Sequence, residues 1–344
     1  MKTVRFIRAM GILNMHNLAL SKYNLDSDEL GIPASVFRNP MTLIPLKAVA
    51  EWYRCVEQAS GDPDVVLSLS RGIELQKLGP VGRWLFSGND LASTIRRVNY
   101  GVSNLQSGAF FAGEQSGKII KWTYHNPFIE MSVKVHDSIR CAVFMIKVLR
   151  EFLGKDYQPL RVKVSGSRKN TERYREYFGC EVEWSQPKTE IWIPGDDRLA
   201  SRQVSHREDN RLAMSFSDLD DLLNMPDPED ELKVIYEVVN YSSHYGLPTL
   251  ERVSSLLDLS EQQFQRRLHK LGLNFSTVSG YVLSNIAAGL LSKRVSIDDI
   301  ATRLGYTNVA SFNRMFKKHR GLTPKQYTGR LEKWCSTYLY EYKQ

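Results

Sequence analysis

The sequence predicts two folded parts of different class, an α+β N-terminal part and an all-α C-terminal part. Runs rich in β-branched and aromatic residues occur only before about residue 195, whereas the last hundred residues show helical spacing of apolar residues. The formal charge is also unequal: residues 246–344 carry 15 Lys and Arg against 7 Asp and Glu, and residues 1–245 carry 31 of each sign. The net charge of +8 thus lies in the C-terminal part, which is typical of a phosphate-binding module attached to a neutral domain.

The N-terminal part is predicted to contain an antiparallel sheet covered by helices. Its first hundred residues read as mainly helical. Two β-rich runs then flank His125, Asn126 and Pro127, which predicts a hairpin. The predicted elements that follow the early helices are strands at 118–124 and 128–135, a helix at 138–153, a strand at 160–164, a helix at 170–178, and strands at 181–184 and 190–193. This order is typical of an α+β domain.

The composition changes most at residues 216–230, FSDLDDLLNMPDPED, where an acidic run is followed by two prolines. We interpret this segment as a linker. The predicted domains are therefore 1–215 and 231–344, and the positive charge makes the second the candidate for phosphate binding.

Residues 297–320 predict a helix-turn-helix. Ile300, Ala301 and Leu304 form the apolar side of a first helix, which Gly305 ends in a left-handed conformation. The second helix buries Phe312 and Phe316, four residues apart. Its open faces carry Asn313, Arg314, Lys317, Lys318 and Arg320, of which the last three are candidates to contact DNA phosphates.

A second copy of this pattern lies at 248–272. Ser260 is a suitable N-cap for its second helix, and Phe264 and Leu268 face inward. The outward residues can hydrogen-bond to base edges or pair with phosphates; they are Gln262, Gln263, Gln265, Arg266, His269 and Lys270. Residues 276–292 repeat apolar residues with helical period and predict a connecting helix between the two units.

The C-terminal residues Ile300-Ala301, Gly305-Tyr306, Phe312-x-Arg314-x-Phe316-Lys317-Lys318 and Gly321-x-Thr323-Pro324-x-x-Tyr327 closely resemble the signature of the AraC/XylS transcriptional regulators. That resemblance implies two helix-turn-helix units joined by a long helix, double-stranded DNA as ligand and RNA polymerase as partner. It also implies the base-reading positions, which are Gln262, Gln263, Gln265 and Arg266 in the first unit and Asn308, Val309, Asn313 and Arg314 in the second. His269 and Lys270 are further phosphate candidates.

The N-terminal part resembles the sensor domain of one subgroup of this family, the regulators of ornithine and arginine use, often labelled arabinose-binding by analogy. The resemblance rests on Gly61-Asp62-Pro63, on Leu78-Gly79-Pro80-Val81-Gly82, and on Tyr177-Phe178-Gly179-Cys180 followed by the predicted strand within 187–194. It implies an activator controlled by a small-molecule effector and acting as a homodimer. The helical start differs from the all-β sugar-sensing domains, which argues against arabinose as the effector.

Aromatic residues gather in the middle of the sensor and suggest an effector pocket. In that hypothesis arginines would anchor an amino-acid-like or carboxylate ligand beside tryptophans; the candidates are Arg83, Trp84, Arg96, Arg97 and Trp122. The alternative is that these rings only pack the core.

Enzyme classes find no support in the sequence, which has no nucleophile elbow, Walker loop or dinucleotide fingerprint. The four cysteines have no metal-ligand spacing, so we expect no metal, no cofactor and no disulfide. No run of 18 apolar residues occurs, and we expect a cytoplasmic protein without a membrane segment.

The alternative function is a ligand-independent, nucleoid-type DNA-binding protein whose N-terminal domain only dimerises.

Overall fold

The computed structural model describes residues 4–75, 79–201 and 214–341, with side chains up to residue 333. Cys335 therefore lies outside the described side chains. The chain divides into two compact units, Arg5–Pro226 and Asp227–Gln344. The first is a mixed α/β unit with a mostly antiparallel sheet, and the second is helical, which confirms the predicted fold class.

The first unit has eight helices and seven strands within the described residues. The helices are α1 (Leu13–Tyr23), α2 (Leu46–Ser60), α3 (Val65–Ser70), α4 (Gly79–Leu85), α5 (Leu91–Leu105), α6 (Lys134–Leu153), α7 (Thr171–Phe178) and α8 (Phe216–Leu223). The strands are β1 (Phe6–Arg8), β2 (Leu43–Pro45), β3 (Phe110–Ser116), β4 (Ile119–His125), β5 (Arg161–Lys163), β6 (Val182–Glu183) and β7 (Thr189–Pro194).

Five of these strands form one sheet in the order β3-β4-β7-β5-β6. All neighbours are antiparallel except β5 and β6, which pair in parallel through the crossover helix α7. Buried side chains of the sheet, including Trp122 and Ile191, belong to the core, and α6 packs against β7. The Ser138 hydroxyl on α6 hydrogen-bonds the Thr189 hydroxyl on β7 at 2.5 Å. Strands β1 and β2 form a separate two-stranded sheet.

The predicted hairpin between residues 118–124 and 128–135 is wrong in its second strand. Strand β4 is where the sequence predicts it, but its hairpin partner is β3, on the other side in the chain. Residues 128–133 form turns instead: the Asn126 side chain accepts a hydrogen bond from the backbone N–H of Phe128, and α6 then begins at Lys134. Strand β3 lacks a strong β pattern because its apolar residues stop at Ala112, and the remaining residues, GEQS, are a glycine and three polar residues. The strand lies at an exposed edge of the sheet.

Helix α8 occupies the first part of the segment for which the sequence predicts a linker. Ser215 caps it in a reciprocal pair with Asp218, and its buried residues, Leu219 and Leu223, are four apart. Of the two acidic residues between them, Asp221 is exposed, whereas Asp220 is half-buried and accepts hydrogen bonds from Tyr100 and Asn104 of α5. Because the helix packs against α5 with Leu219 and Leu223 buried, residues 216–223 belong to the first compact unit. Residues 224–230 form a loop.

The second unit has seven helices in its described part: α9 (Glu231–Ser242), α10 (Leu250–Leu256), α11 (Glu261–Lys270), α12 (Phe275–Ser292), α13 (Ile297–Arg303), α14 (Val309–Arg320) and α15 (Pro324–Glu341). Helix α12 lies at the centre and packs against α9, α13, α14 and α15. Leu283, Ala287 and Leu291 of α12 enclose a core with Ile300 and Phe316. Its start contacts the other side of the unit, where Phe275 meets Phe264 edge to face.

Candidate nucleic-acid interface and effector cavity

The first helix-turn-helix consists of α10 and α11. The Ser260 hydroxyl accepts the backbone N–H of Gln263, and the Gln263 side chain accepts the backbone N–H of Ser260, which forms a complete capping box. Phe264 and Leu268 are fully buried on the inner side of α11. The helix therefore has one fixed orientation, and its opposite face is open.

The open face of α11 carries all six residues that the sequence singles out in this unit. Gln262, Gln263, Gln265, Arg266, His269 and Lys270 are all exposed. Gln263 differs from the others because its side-chain oxygen is engaged in the cap, so only its amide donor is open to a ligand. The neighbouring Arg267 turns away and pairs with Glu231 of α9 at 3.2 Å. Arg266 is thus the arginine of α11 that is directed to the open face.

The second helix-turn-helix consists of α13 and α14. Gly305 follows α13 with φ at +83°, and a Cβ there would lie 2.6 Å from the backbone nitrogen of Leu247. Phe312 and Phe316 are fully buried, as predicted. The imidazole of His319 lies against Gly280 of α12, where a Cβ would approach its Nε2 to 2.2 Å. Burial and the neighbouring cations Lys318 and Arg320 lower the pKa of His319.

The structure places the predicted DNA residues of α14 in three different environments. Arg314, Lys317 and Lys318 are exposed, whereas Val309 and Asn313 are half-buried. Asn308 is exposed and caps the helix, because its side-chain oxygen accepts the backbone N–H of Ser311 at 2.8 Å. The Asn313 side-chain oxygen is buried and has no hydrogen-bond partner among the described residues. The half-buried Arg320 donates to Asn285 of α12.

The residues predicted for an effector pocket do not belong to the lining of the apolar cavity that is described below. Trp84 and Trp122 are fully buried, and their indole N–H groups donate to the Met214 carbonyl and the Asn99 side chain, both at 2.9 Å. The Arg97 guanidinium lies over the Trp84 ring at 5.0 Å. Arg83 and Arg96 are exposed. Sequence reasoning missed an apolar cavity of the first unit.

That cavity has a volume of about 90 Å³ and a mostly apolar lining. Its walls come from β1 and α1, from α4 and α5, and from α6, and include Ile7, Asn14, Val102, Gln106 and Arg140. Burial raises the pKa of the lining thiol, Cys141, to about 12, so that the thiol is neutral. No local pattern could reveal this set because its members are up to 137 positions apart in the chain.

Arg140 is the charged residue of this lining within the described part of the chain, and it belongs to a buried network. Its Nη2 donates to Asp137 and to Gln106, each at 2.7 Å, and its Nε donates to the Tyr53 hydroxyl at 3.2 Å. The Tyr124 hydroxyl donates to the other oxygen of Asp137 at 2.6 Å. The network fixes the guanidinium at the cavity wall.

Neither a metal-binding cluster nor a membrane-spanning helix is found within the described residues. No group of three or more His, Cys, Asp or Glu side chains is placed to hold a metal ion there. In the same part of the chain, no helix is both long and apolar enough to span a membrane.

Comparison with known proteins assigns a family to each unit. Residues 28–200 match the family model described as the arabinose-binding domain of AraC transcription regulator, N-term, and residues 253–330 match a helix-turn-helix domain. The Ornithine utilization regulator of Pseudomonas aeruginosa is 22% identical over 78% of this chain and 79% of its own length. The HTH-type transcriptional regulator VirS of Mycobacterium tuberculosis is 29% identical over 45% of each chain.

Other matches are shorter or more distant. An HTH-type transcriptional regulator of Mycobacterium tuberculosis is 34% identical, but this chain spans only 24% of that relative's length, and 24% of this chain is covered. Among solved structures, the transcriptional regulator CdpR from Pseudomonas aeruginosa is 18% identical, with a TM-score of 0.44 over 92% of this chain and 96% of that chain.

Proposed function

The chain belongs to the AraC family of transcription regulators, and from this premise we propose that it binds specific DNA sites under the control of a small molecule. It is a transcriptional regulator with a helix-turn-helix DNA-binding domain and an N-terminal domain of the arabinose-binding type. The observation that carries the proposal is the pair of exposed polar helix faces, on α11 and α14, in one compact helical unit.

In this proposal α11 and α14 are recognition helices that enter major grooves. Helix α12 has 18 residues and is about 27 Å long at 1.5 Å per residue, which is of the order of one DNA turn, about 34 Å. Base edges would be read by Gln262, Gln263, Gln265 and Arg266 on α11, and by Asn308, Val309, Asn313 and Arg314 on α14. Phosphates would be contacted by His269, Lys270, Lys317, Lys318 and Arg320.

The surroundings of these side chains determine which of their hydrogen-bonding groups are free to contact DNA. Arg266 and Arg314 are exposed and carry the donor forks that suit guanine. Asn308 and Gln263 each have their oxygen engaged in a helix cap, so they would act as hydrogen-bond donors. Arg320 is held by Asn285, and a phosphate would have to bind to its remaining N–H groups.

We further propose that the regulator acts as a homodimeric activator, contacts RNA polymerase and works in the cytoplasm, where the chromosome is. The effector would bind in the first unit. The sequence-based hypothesis places a carboxylate ligand at Arg83, Arg96 and Arg97, beside Trp84 and Trp122. The cavity at Arg140 supports a different position, because it is a mostly apolar space with a buried polar network at its wall.

The proposal is tested by immunoprecipitating the protein with its chromosomal DNA from cells and sequencing that DNA. We expect a few sharp peaks upstream of genes, with a motif that extends over successive helical turns. Broad coverage without a motif would contradict specific regulation and would favour a nucleoid-type protein whose first unit only dimerises.

A further inference from the structure

We propose that the cavity lined by Arg140 and Asn14 binds a small, uncharged, mostly apolar molecule that carries one hydrogen-bond acceptor, such as a short ketone, ester or lactone. This inference rests on the proposed function, since it takes this cavity to be the effector site. It differs from the sequence-based hypothesis in both the position and the charge of the ligand.

The donors that remain free on the cavity wall define the polar contact. The hydrogen bonds of Arg140 involve Nε and Nη2, and the part of the chain that the structure describes offers no partner to its Nη1. The Asn14 side-chain amide likewise has no hydrogen-bond partner there, and it is only half-buried. Gln106, the other polar residue of the wall, has both its side-chain atoms engaged, with Arg140 and Tyr124. A ligand acceptor would therefore meet Nη1 of Arg140, beside Asn14.

The charge balance of the network argues against a carboxylate. Arg140 and Asp137 form an ion pair at 2.7 Å, and their side chains are only 11% and 5% exposed. The pair is already neutral, so a ligand carboxylate would add an uncompensated negative charge in a mostly apolar site beside Asp137. Bidentate binding of a carboxylate to the guanidinium is also blocked, because Nε and Nη2 are occupied. An uncharged acceptor requires only one N–H group and adds no charge.

The volume and the lining set the size and polarity of the ligand. An apolar cavity of about 150 Å³ holds benzene, which has six non-hydrogen atoms, so about 90 Å³ corresponds in proportion to roughly four. Most of the lining is hydrocarbon, including Ile7, Val102 and Leu105. A ligand of this size with a single polar atom would fill the space and satisfy Arg140.

The position of the cavity allows its ligand to affect the end of the first unit. Val102 and Leu105 of the lining lie on α5. Tyr100 and Asn104 of the same helix donate hydrogen bonds to Asp220 of α8. Helix α5 thus contacts the cavity on one side and α8 on the other.

The test uses the full chain and two probes with the same number of non-hydrogen atoms, butanone and propionate. Binding is measured at neutral pH by ligand-observed NMR titration. We expect butanone to bind with millimolar affinity and propionate, which is ionised, to bind at least tenfold more weakly. Equal or tighter binding of propionate would overturn the assignment of an uncharged ligand.

Two substitutions on one helix locate the binding. In Asn14→Leu the larger apolar side chain fills the cavity, and butanone binding should fall at least tenfold. Asn17→Leu makes the same change at an exposed position of α1 outside the lining, and binding should be unchanged. Equal butanone affinity in both variants, or no butanone binding to the wild type, would overturn the proposal.

A third variant tests the polar contact. Arg140→Lys keeps the positive charge beside Asp137 but removes the Nη1 donor, and butanone should bind at least tenfold more weakly. Unchanged affinity in a folded Arg140→Lys protein would overturn the role given to Arg140. If this variant fails to fold, comparison of Asn14→Leu with Asn17→Leu still decides whether butanone binds in this cavity. The chromosomal map is independent of these titrations: a map without sharp peaks contradicts the proposed function, whereas absence of butanone binding contradicts only this inference.

Discussion

The carboxylate of Asp220 accepts a hydrogen bond from the side-chain amide of Asn104 at 2.5 Å, which connects α8 to α5. The Tyr100 hydroxyl donates to the same carboxylate, and the Leu223 carbonyl at the end of α8 accepts from Arg8. Because α8 is the last helix before the second unit begins at Asp227, these bonds decide how firmly the chain is held where the two units are joined in sequence.

Replacing Asp220 with alanine should loosen α8 without unfolding the first unit. The variant loses two hydrogen bonds, and each contributes about 1 kcal/mol net, so the free energy of local opening falls by about 2 kcal/mol and amide exchange over residues 216–223 should accelerate roughly thirtyfold. Hydrogen exchange followed by mass spectrometry measures this directly. Asp221→Ala is the matched control, because that residue lies on the exposed side of the same helix. Equal acceleration in both variants would mean that the bonds to α5 do not hold α8.

The second unit was predictable because its signals are local. Apolar residues recur every three to four positions along each helix. The helix ends are marked by the caps at Ser260 and Asn308 and by the left-handed Gly305. Strand β3 was not predictable, since an edge strand whose second half is polar is defined by its pairing with β4. Residues 128–135 show a β pattern that a turn at Asn126 overrides.

The two candidate sites likewise differ in how far the sequence predicts them. Exposed residues of α11 and α14 follow from helical spacing once the buried phenylalanines are known. The cavity does not, because its walls come from segments far apart in the chain. Trp84 and Trp122 are residues of a type that often lines ligand pockets, but both are fully buried and their indole N–H groups are hydrogen-bonded within the protein.

Two glycine-to-alanine substitutions should change stability in opposite directions. At Gly305 a Cβ would lie 2.6 Å from the Leu247 backbone nitrogen, and φ is +83°, so Gly305→Ala should destabilise the second unit by at least about 2 kcal/mol. At Gly289, an exposed position within α12, a Cβ meets no atom within 4 Å, and alanine should stabilise the helix by about 0.5–1 kcal/mol. Urea unfolding followed by circular dichroism measures both, and destabilisation by Gly289→Ala would contradict the open environment of that residue.

The buried His16 should make the first unit less stable in acid. Its Nδ1 accepts the Trp52 indole N–H at 3.1 Å, and burial lowers its pKa from 6.5 to about 4. Between these pH values the unfolded chain binds a proton that the folded chain does not, so the free energy of unfolding should fall as the pH falls from about 6.5 to about 4. The slope is at most about 1.4 kcal/mol per pH unit for one proton.

The matched variant is His16→Gln, whose side chain can still accept from Trp52. Its stability should depend less steeply on pH across this range when urea unfolding is repeated at several pH values. Some slope should remain, because burial and Arg168 lower the pKa of His136 to about 3. An unchanged slope would show that His16 does not titrate in this way.

Asn308→Ser should separate helix capping from base reading. Serine caps a helix about as well as asparagine, so the free energy of unfolding should change by less than about 0.5 kcal/mol. The variant lacks the amide donor, and its affinity for the specific site should fall by about 1–3 kcal/mol with little change on random DNA. Fluorescence anisotropy with both DNAs measures this, and equal losses on the two would assign Asn308 to positioning.

Arg266 and Lys317 should affect DNA binding in different ways. Both are exposed, but Arg266 lies on the open face of α11 with a donor fork that can pair with guanine, whereas Lys317 lies in the last turn of α14. Arg266→Ala should therefore reduce the discrimination between the specific site and random DNA by about 1–3 kcal/mol. Lys317→Ala should weaken binding to both DNAs equally and lower the slope of log affinity against log salt by about 1.

The comparison requires titrations of both variants on both DNAs at several salt concentrations. Arg267→Ala is a control for Arg266→Ala, because Arg267 is the next residue and is turned toward Glu231. It should leave discrimination unchanged, although it removes the same positive charge. If Arg266→Ala and Arg267→Ala reduced discrimination equally, the loss would come from charge alone, and Arg266 would not be a base-reading residue.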